Sequence, residues 1–529
     1  MITLTVAEIA QATGGSLEGI SAEAAHQITC NFATTDSREV REGTLFLAKP
    51  GEKTDGHLFV PSAFSAGASL ALVDHLVSKE DGSYYPQVRV NDVVLAMGSL
   101  AQFCIEKMRK NAELTVIGIT GSAGKTTTKD LLSNIFATAG ETVAPIGSYN
   151  GEVGVPLTIF RADENTRYLV IEMGADGLGH IRYLANIVQP DHGVILKVGT
   201  AHAGEFGGVE NIEKTKGELA EGVKLSLCLN DDDYRVRRMV SRAITPVTYF
   251  GIGAKNEQDD RHYERVYAQD VRTSHDGCPE FTIVFPNNAS YEVCSQLIGE
   301  HHVYNLLAAA SVAYQAGIST ETIAQVLNTS KAISRWRMQR TDRSDGITVI
   351  NDAYNANPES MVAALRALAQ LGRTQQRRTW AILGPMLELG EVSVEEHDKL
   401  GRYAVRMNIS KIVAVGDIAQ PIYNAAHLEG SWGEEATWVA TTDEAYQLIS
   451  QEAKPEDILL FKSSHAAGLG KLGERVATVE KLLSEERDTN ATQWLSAGEP
   501  SQQVNSDFDI QNITENTFVQ NKPEGNTTA

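Results

Sequence analysis

The run Val116-Ile117-Gly118-Ile119-Thr120-Gly121-Ser122-Ala123-Gly124-Lys125-Thr126-Thr127-Thr128 constrains this chain more than any other stretch. It reads as a buried apolar strand, a glycine-rich turn, and a helix opened by Lys-Thr. Those parts in that order suit a polyphosphate. Glycines let backbone N–H groups close around oxyanions, and the helix N-terminus adds a partial positive charge. Lys125 supplies a full charge, and the Thr126 hydroxyl suits Mg²⁺. The spacing is G-x-x-G-K-T, because Ile119 stands where the longer phosphate loop has its first glycine. An ordinary glycine-rich turn would explain the bend but not the Lys-Thr pair at the helix start. The expectation is a nucleotide site made by Gly121, Ser122, Ala123, Gly124, Lys125, Thr126 and Thr127.

A chain of 529 residues is too long for one hydrophobic core, so about three domains are expected. The alternation of apolar strands and helices divides it. Residues 1–112 read as a small mixed α/β unit, with Thr5 and Glu8 spaced as a capping box for a helix ending at Gly14-Gly15. Residues 113–330 read as a central parallel sheet carrying the phosphate loop, with a polar insertion or hairpin near 251–280. Residues 331–485 read as a second, Rossmann-like α/β unit. Residues 486–529 are polar and without periodicity, and a disordered tail is expected there.

The net charge of −22 opposes nucleic acid or an anionic membrane as the main partner. An anionic substrate must then be met by local Lys, Arg and helix termini. Five scattered cysteines form no C-x-x-C pair, so neither a disulfide framework nor a zinc site is expected. The first residues carry no basic, apolar leader pattern, and no run of about 18 apolar residues occurs. A cytoplasmic protein is the expectation.

Chemistry-bearing residues gather after predicted strands, where open α/β sheets bind ligands. Glu172 ends the apolar Tyr168-Leu169-Val170-Ile171 run and suits a nucleotide-bound metal as well as a helix cap. His202 follows Gly193-Val194-Ile195-Leu196 in a glycine-rich loop. Lys214 and Lys216 lie on a charged helix, and nothing local selects one over the other. Asp352, Tyr354 and Asn355 follow the Ile347–Ile350 strand, where Asn357 and Pro358 read as the cap and first residue of the next helix. Thr35-Asp36-Ser37-Arg38 and Asp55-Gly56-His57 suit turns, and Arg38 beside two hydroxyls also suits a nucleotide diphosphate.

Taken together these segments resemble the Mur ligase family, which builds the peptide stem of bacterial cell-wall precursors. Gly121–Thr128 is similar to that family's ATP loop, and Asn150-Gly151-Glu152-Val153-Gly154-Val155-Pro156-Leu157-Thr158 to the N-x-x-x-G-V-P-x-T segment after it. The resemblance implies Mg²⁺ ligation by Thr126, Glu172 and His202, with two ions, and carbamylation of Lys216 to make a further ligand. It implies catalytic roles for Lys125, Lys216 and His202, and nucleotide contacts from Asn305 and Asp352. Substrate contacts are implied for Ser37, Arg38, Asp55 and His57 at the UDP end, and for Asn150, Tyr354, Asn355 and Asn357 elsewhere. Asp352–Pro358 and Leu383–Gly390 are similar to the member joining D-alanyl-D-alanine to UDP-N-acetylmuramoyl-tripeptide. Those two substrates, an acyl-phosphate intermediate, and a monomer are therefore expected. Three places depart from the pattern. His302 stands where many members have Asn, Lys462-Ser463-Ser464-His465 replaces a more usual Lys-Gly-Ser-Arg, and Arg335-Trp336-Arg337-Met338 lacks a glycine before Arg-Met. The rivals are a relative adding another amino acid, or glutamate to folate, and a nucleotide-binding scaffold. The UDP-type first segment opposes folate.

Overall fold

In the computed structural model the described residues form three large sheets in sequence, with helices between the strands, and a two-stranded antiparallel pairing of Leu4–Thr5 with Thr29–Cys30. The structure describes residues 1–51, 54–111, 113–199, 206–254, 263–430, 435–479 and 482. The expected tail and His202 lie outside these residues.

The first sheet has five strands, in the order Ser16–Glu18, Gln87–Arg89, Ala68–Val73, Thr44–Leu47, Phe32–Thr34. Only the Ser16–Glu18 edge runs antiparallel. The helix Val6–Thr13 starts as its sequence requires. Thr5 and Glu8 satisfy each other's backbone N–H groups, and Gly14 ends the helix at φ 64°, where a side chain would be strained. Helix Val93–Asn111 leads to the next sheet and packs on both Val6–Thr13 and His180–Val188. Gly98 permits the second contact, because a Cβ there would lie 2.6 Å from the Tyr183 hydroxyl.

The second sheet has nine strands. From one edge they run Ser290–Cys294, Pro279–Val284, Glu264–Thr273, Val247–Ile252, Ser226–Asn230, His192–Ile195, Thr115–Thr120, Tyr168–Glu172 and Thr142–Val143. All run in one direction except Pro279–Val284, which pairs antiparallel with Glu264–Thr273 on one side and Ser290–Cys294 on the other. Within the polar 251–280 stretch expected as an insertion or hairpin, Glu264–Thr273 forms a hairpin with Pro279–Val284, and the pair extends this same sheet. Its alternating burial, one face in and one out, left no continuous apolar run to read.

The third sheet runs Gln339–Asp342, Thr348–Asn351, Ile458–Lys462, Thr379–Leu383, Lys411–Val415, Ala436–Val439, with only the first strand antiparallel. Parallel strands covered on both faces need near-continuous apolar runs, as residues 380–383 and 458–461 supply. Among the described residues no helix is long and apolar enough to cross a membrane. Described cysteines are all free thiols, four buried and Cys294 exposed.

One helix positions the site directly. His302–Gln315 is buried nearly all round, with Leu306 to Ala310 inaccessible. Its alanines let it sit close between the phosphate-loop helix and the sheet.

Candidate active site

The phosphate loop leaves the strand Thr115–Thr120 and enters the helix Lys125–Ala137. Gly121 and Gly124 have φ of 152° and 87°, the second in the left-handed region that favours glycine. Gly124 stands at the N-cap position and no side chain caps the helix, so its first N–H groups are open to an anion. A Cβ at Gly124 would lie 2.3 Å from Asn305 Oδ1. The loop and the buried helix therefore meet at van der Waals distance, bringing Asn305 to the nucleotide loop. Lys125 Nζ donates to the Gly121 carbonyl at 2.9 Å and folds back over the loop. Burial lowers its pKa from the usual lysine value, opposed by the Glu172 charge. Ser122, whose backbone N–H donates to the Lys197 carbonyl at 2.8 Å, accepts the Gly199 N–H on its hydroxyl at 3.0 Å. Ala123 and Thr127 lie partly exposed on the same turn.

Glu172 comes in from the neighbouring strand. The Thr126 hydroxyl donates to its Oε2 at 3.0 Å, and Ser148 Oγ and Asn150 Nδ2 donate to its Oε1 at 2.8 Å each. These three hydrogen-bond donors, Thr126, Ser148 and Asn150, are all neutral groups at the mouth of the loop. A hard divalent cation fits such a place.

Lys216 is 4% exposed, its ammonium 5.8 Å from the centre of the Phe206 ring. Burial, and then the Lys125 charge, pushes its pKa down to about 7. Lys214 instead offers its carbonyl to Arg242, at 2.6 Å. The structure thus separates two lysines that the sequence left equivalent.

The segment after residue 330 reaches the same loop. Arg337 Nη2 lies 3.4 Å from Thr126 Oγ1, and its guanidinium sits 4.5 Å over the Tyr354 ring. Asp352 accepts Lys462 Nζ at 2.5 Å and the Met338 N–H at 3.1 Å. Both its oxygens are engaged within the third sheet, and its carboxylate is a tie between strands before it is a nucleotide contact. Asn355 offers its carbonyl to Lys462 at 3.1 Å. Asn357 caps the helix Pro358–Gln375 through a reciprocal bond with Ser360, the structural role its spacing implied. His465 lies 5.3 Å from Tyr354 and 5.2 Å from Trp336, ring to ring. Burial and three nearby cations lower its pKa, so it is no substitute for a permanently charged arginine. His302 is also held neutral, by burial and by His301. Its Nδ1 meets Asn305 Nδ2 at 3.0 Å.

The first-sheet candidates sit apart in a cluster of their own. Arg38, 69% exposed, forms a two-pronged pair with Asp36, at 2.9 and 2.6 Å. Ser37 begins a single helical turn beside it. His57 is buried, bonded through Nδ1 to Asp55 at 2.7 Å and accepting the Asp74 N–H on Nε2 at 3.1 Å. Sequence reasoning missed Ser148, Phe206 and the Asp352–Lys462 pair. Ser148 was within reach, two residues before Asn150. The other two need contacts between distant segments.

Three family descriptions match the chain in order. These are the Mur ligase family catalytic domain over residues 29–108, the Mur ligase middle domain over 119–313, and the Mur ligase glutamate ligase domain over 336–465. The UDP-N-acetylmuramoyl-tripeptide–D-alanyl-D-alanine ligase of Mycobacterium tuberculosis strain H37Rv is 41% identical over 507 residues, covering 90% of this chain and 98% of that one. MurF from Acinetobacter baumannii superposes with a TM-score of 0.76 at 30% identity, covering 90% and 99%. MurF ligase from Thermotoga maritima in complex with ADP gives 0.71 at 26% identity, covering 85% and 98%.

Proposed function

The chain belongs to the Mur ligase family of ATP-dependent ligases, and from that premise we propose that it joins D-alanyl-D-alanine to UDP-N-acetylmuramoyl-tripeptide. The nearly full-length identity to a ligase of that name supports the substrate pair. A carboxylate resists attack by an amine because its leaving group would be oxide. Transfer of the ATP γ-phosphoryl group to the terminal tripeptide carboxylate gives an acyl phosphate. The dipeptide amine then forms the C–N bond, the C–O bond to phosphate breaks, and the amine proton is lost.

The observation that carries this reading is Glu172, a carboxylate held by neutral hydrogen-bond donors against the Thr126 hydroxyl. Lys125 and the open helix amides would steady the transferred phosphoryl group. Thr126 and Glu172 would hold one Mg²⁺, with Lys216 and His202 at a second. Mg²⁺ supplies screening between the two anions that must approach each other. Lys216 fits that role only once modified, since an ammonium repels a cation. Its lowered pKa leaves about half of the amine neutral at pH 7. A neutral amine can attack CO₂, forming the N–C bond and releasing a proton, and so becomes a carbamate anion.

Asn305 is assigned to the nucleotide side because it abuts Gly124. Tyr354 and Asn355, at the carboxyl end of their strand, are assigned to the dipeptide or to its enclosure. Ser37 and Arg38 are assigned to the UDP end. Residues 1–112, 113–330 and 331–485 then act as the UDP, ATP and acceptor modules, in a cytoplasmic monomer. Phosphate release from ATP and Mg²⁺ tests the proposal, omitting each peptide substrate in turn. Release that needs both, with a UDP-linked pentapeptide by mass, is expected. Release needing neither would reduce the chain to a nucleotide hydrolase.

A further inference from the structure

We propose that Trp336 and His465 are a positioning pair for Arg337, holding its guanidinium on the phosphate loop through an unbroken stack of side chains. The proposal rests on the loop binding ATP and not on which peptide substrates are joined. Two of the three departures from the family's usual residues are this pair, Trp336 where a glycine often precedes Arg-Met and His465 where arginine is more usual. Far apart in the chain, the two meet ring to ring at 5.2 Å.

The backbone marks the place. Trp336 has a φ of 59° and Met338 one of 49°, so Arg337 is flanked by two large residues in the left-handed region, each at a cost of about 1–2 kcal/mol. Such conformations persist where the surroundings over-determine them. Here the Trp336 carbonyl accepts the Tyr354 N–H at 3.2 Å, and the Met338 N–H donates to Asp352 Oδ1 at 3.1 Å. The indole is buried, with the Arg335 guanidinium 4.9 Å over its ring. Gly470 leaves the space the indole fills, since a Cβ there would lie 2.4 Å from it.

Side chains close the circuit. Trp336 meets His465, His465 meets the Tyr354 ring at 5.3 Å, and that ring carries the Arg337 guanidinium at 4.5 Å. Arg337 Nη2 then reaches Thr126 Oγ1 at 3.4 Å. A group at 465 must be a ring to stack against both neighbours. It must also be neutral, because Lys471, Arg335 and Arg337 already bear on it. An imidazole whose pKa is lowered by burial and by those three cations meets both needs. An arginine there would add a fourth positive charge beside Arg337.

The test is a double-mutant cycle on the full chain, read by calorimetry with a non-hydrolysable ATP analogue and Mg²⁺. His465 lies at the surface, so changing it spares the core. His465→Ala should weaken analogue binding by about 3–10-fold, the scale of one aromatic contact. His465→Phe keeps a neutral ring and should stay within about twofold of the wild-type chain. Trp336→Gly suits the backbone but removes the ring, and should lose as much as His465→Ala. Arg337→Ala alone should lose about 10–100-fold, and adding His465→Ala to it should cost less than ~2-fold more. Equal losses from His465→Ala with and without Arg337, or unchanged affinity in His465→Ala or Trp336→Gly, would overturn the proposal. No binding to the wild-type chain is a separate failure, which removes the ATP reading and the pair's role with it.

Discussion

The Arg337 guanidinium lies 4.5 Å over the ring of Tyr354. From that stacked position its Nη2 reaches the Thr126 hydroxyl at 3.4 Å, so a residue of the third-sheet segment touches the phosphate loop. Arg337→Ala removes both contacts and should lower the turnover by about 10–100-fold, the scale of a slightly misplaced reacting group. Arg337→Lys keeps the charge without the planar stack and should fall between. Steady-state phosphate release, beside a thermal melt showing the fold intact, measures it.

Gly124→Ala meets two obstacles together. Its φ of 87° costs an L-residue about 1–2 kcal/mol, and the new Cβ would lie 2.3 Å from Asn305. ADP affinity should fall by at least ~10-fold in calorimetry. Adding Asn305→Gly should recover the steric part alone. Full recovery would show that backbone conformation contributes nothing.

Lys216 gives a pH dependence with a definite sign. A lysine at about 7 in the folded chain binds fewer protons than the unfolded chain between about pH 7 and 10.4. Stability therefore rises with pH across that window, and Lys216→Met should flatten the rise in urea unfolding. The neutral amine fraction also grows about tenfold from pH 6 to pH 8. A carbamate signal from ¹³C-bicarbonate should grow with it and vanish in the variant.

The Asp352–Lys462 pair is buried on both sides. Lys462→Met strands a carboxylate and should cost about 3–5 kcal/mol, read as a lower urea midpoint. The double change with Asp352→Asn should restore most of it. An unchanged midpoint in the single variant would mean water reaches Asp352.

Gly470 faces the buried Trp336 ring, where a Cβ would lie 2.4 Å from the indole. Gly470→Ala should destabilise by about 1–3 kcal/mol, by overpacking. A lower melting temperature with altered tryptophan emission is the expected result.

Local chemistry was readable from the sequence, and distant pairing was not. Thr5 with Glu8, Asn357 with Pro358, and the Gly121–Thr126 loop each complete their geometry within a few residues. Glu172 could be placed because it ends an apolar strand beside the loop. Arg38 could not be seen to pair with Asp36, since two neighbouring opposite charges in a turn carry no orientation. His57 meets Asp74 across 17 residues, a contact made by strand order alone. The strands Ser226–Asn230 and Val247–Ile252 escaped notice because short apolar runs are shared by buried helices.

The strand that carries the phosphate loop has six strands beyond it on one side and two on the other. Its amides can open only after the neighbours on at least one flank have let go. Deuterium should enter Val116–Ile119 among the last of all backbone positions, and Ser290–Cys294 at the far edge early. The nucleotide loop thus grows from the slowest-exchanging part of its sheet, so edge fraying and cleavage of surface turns can proceed while the phosphate cradle keeps its shape.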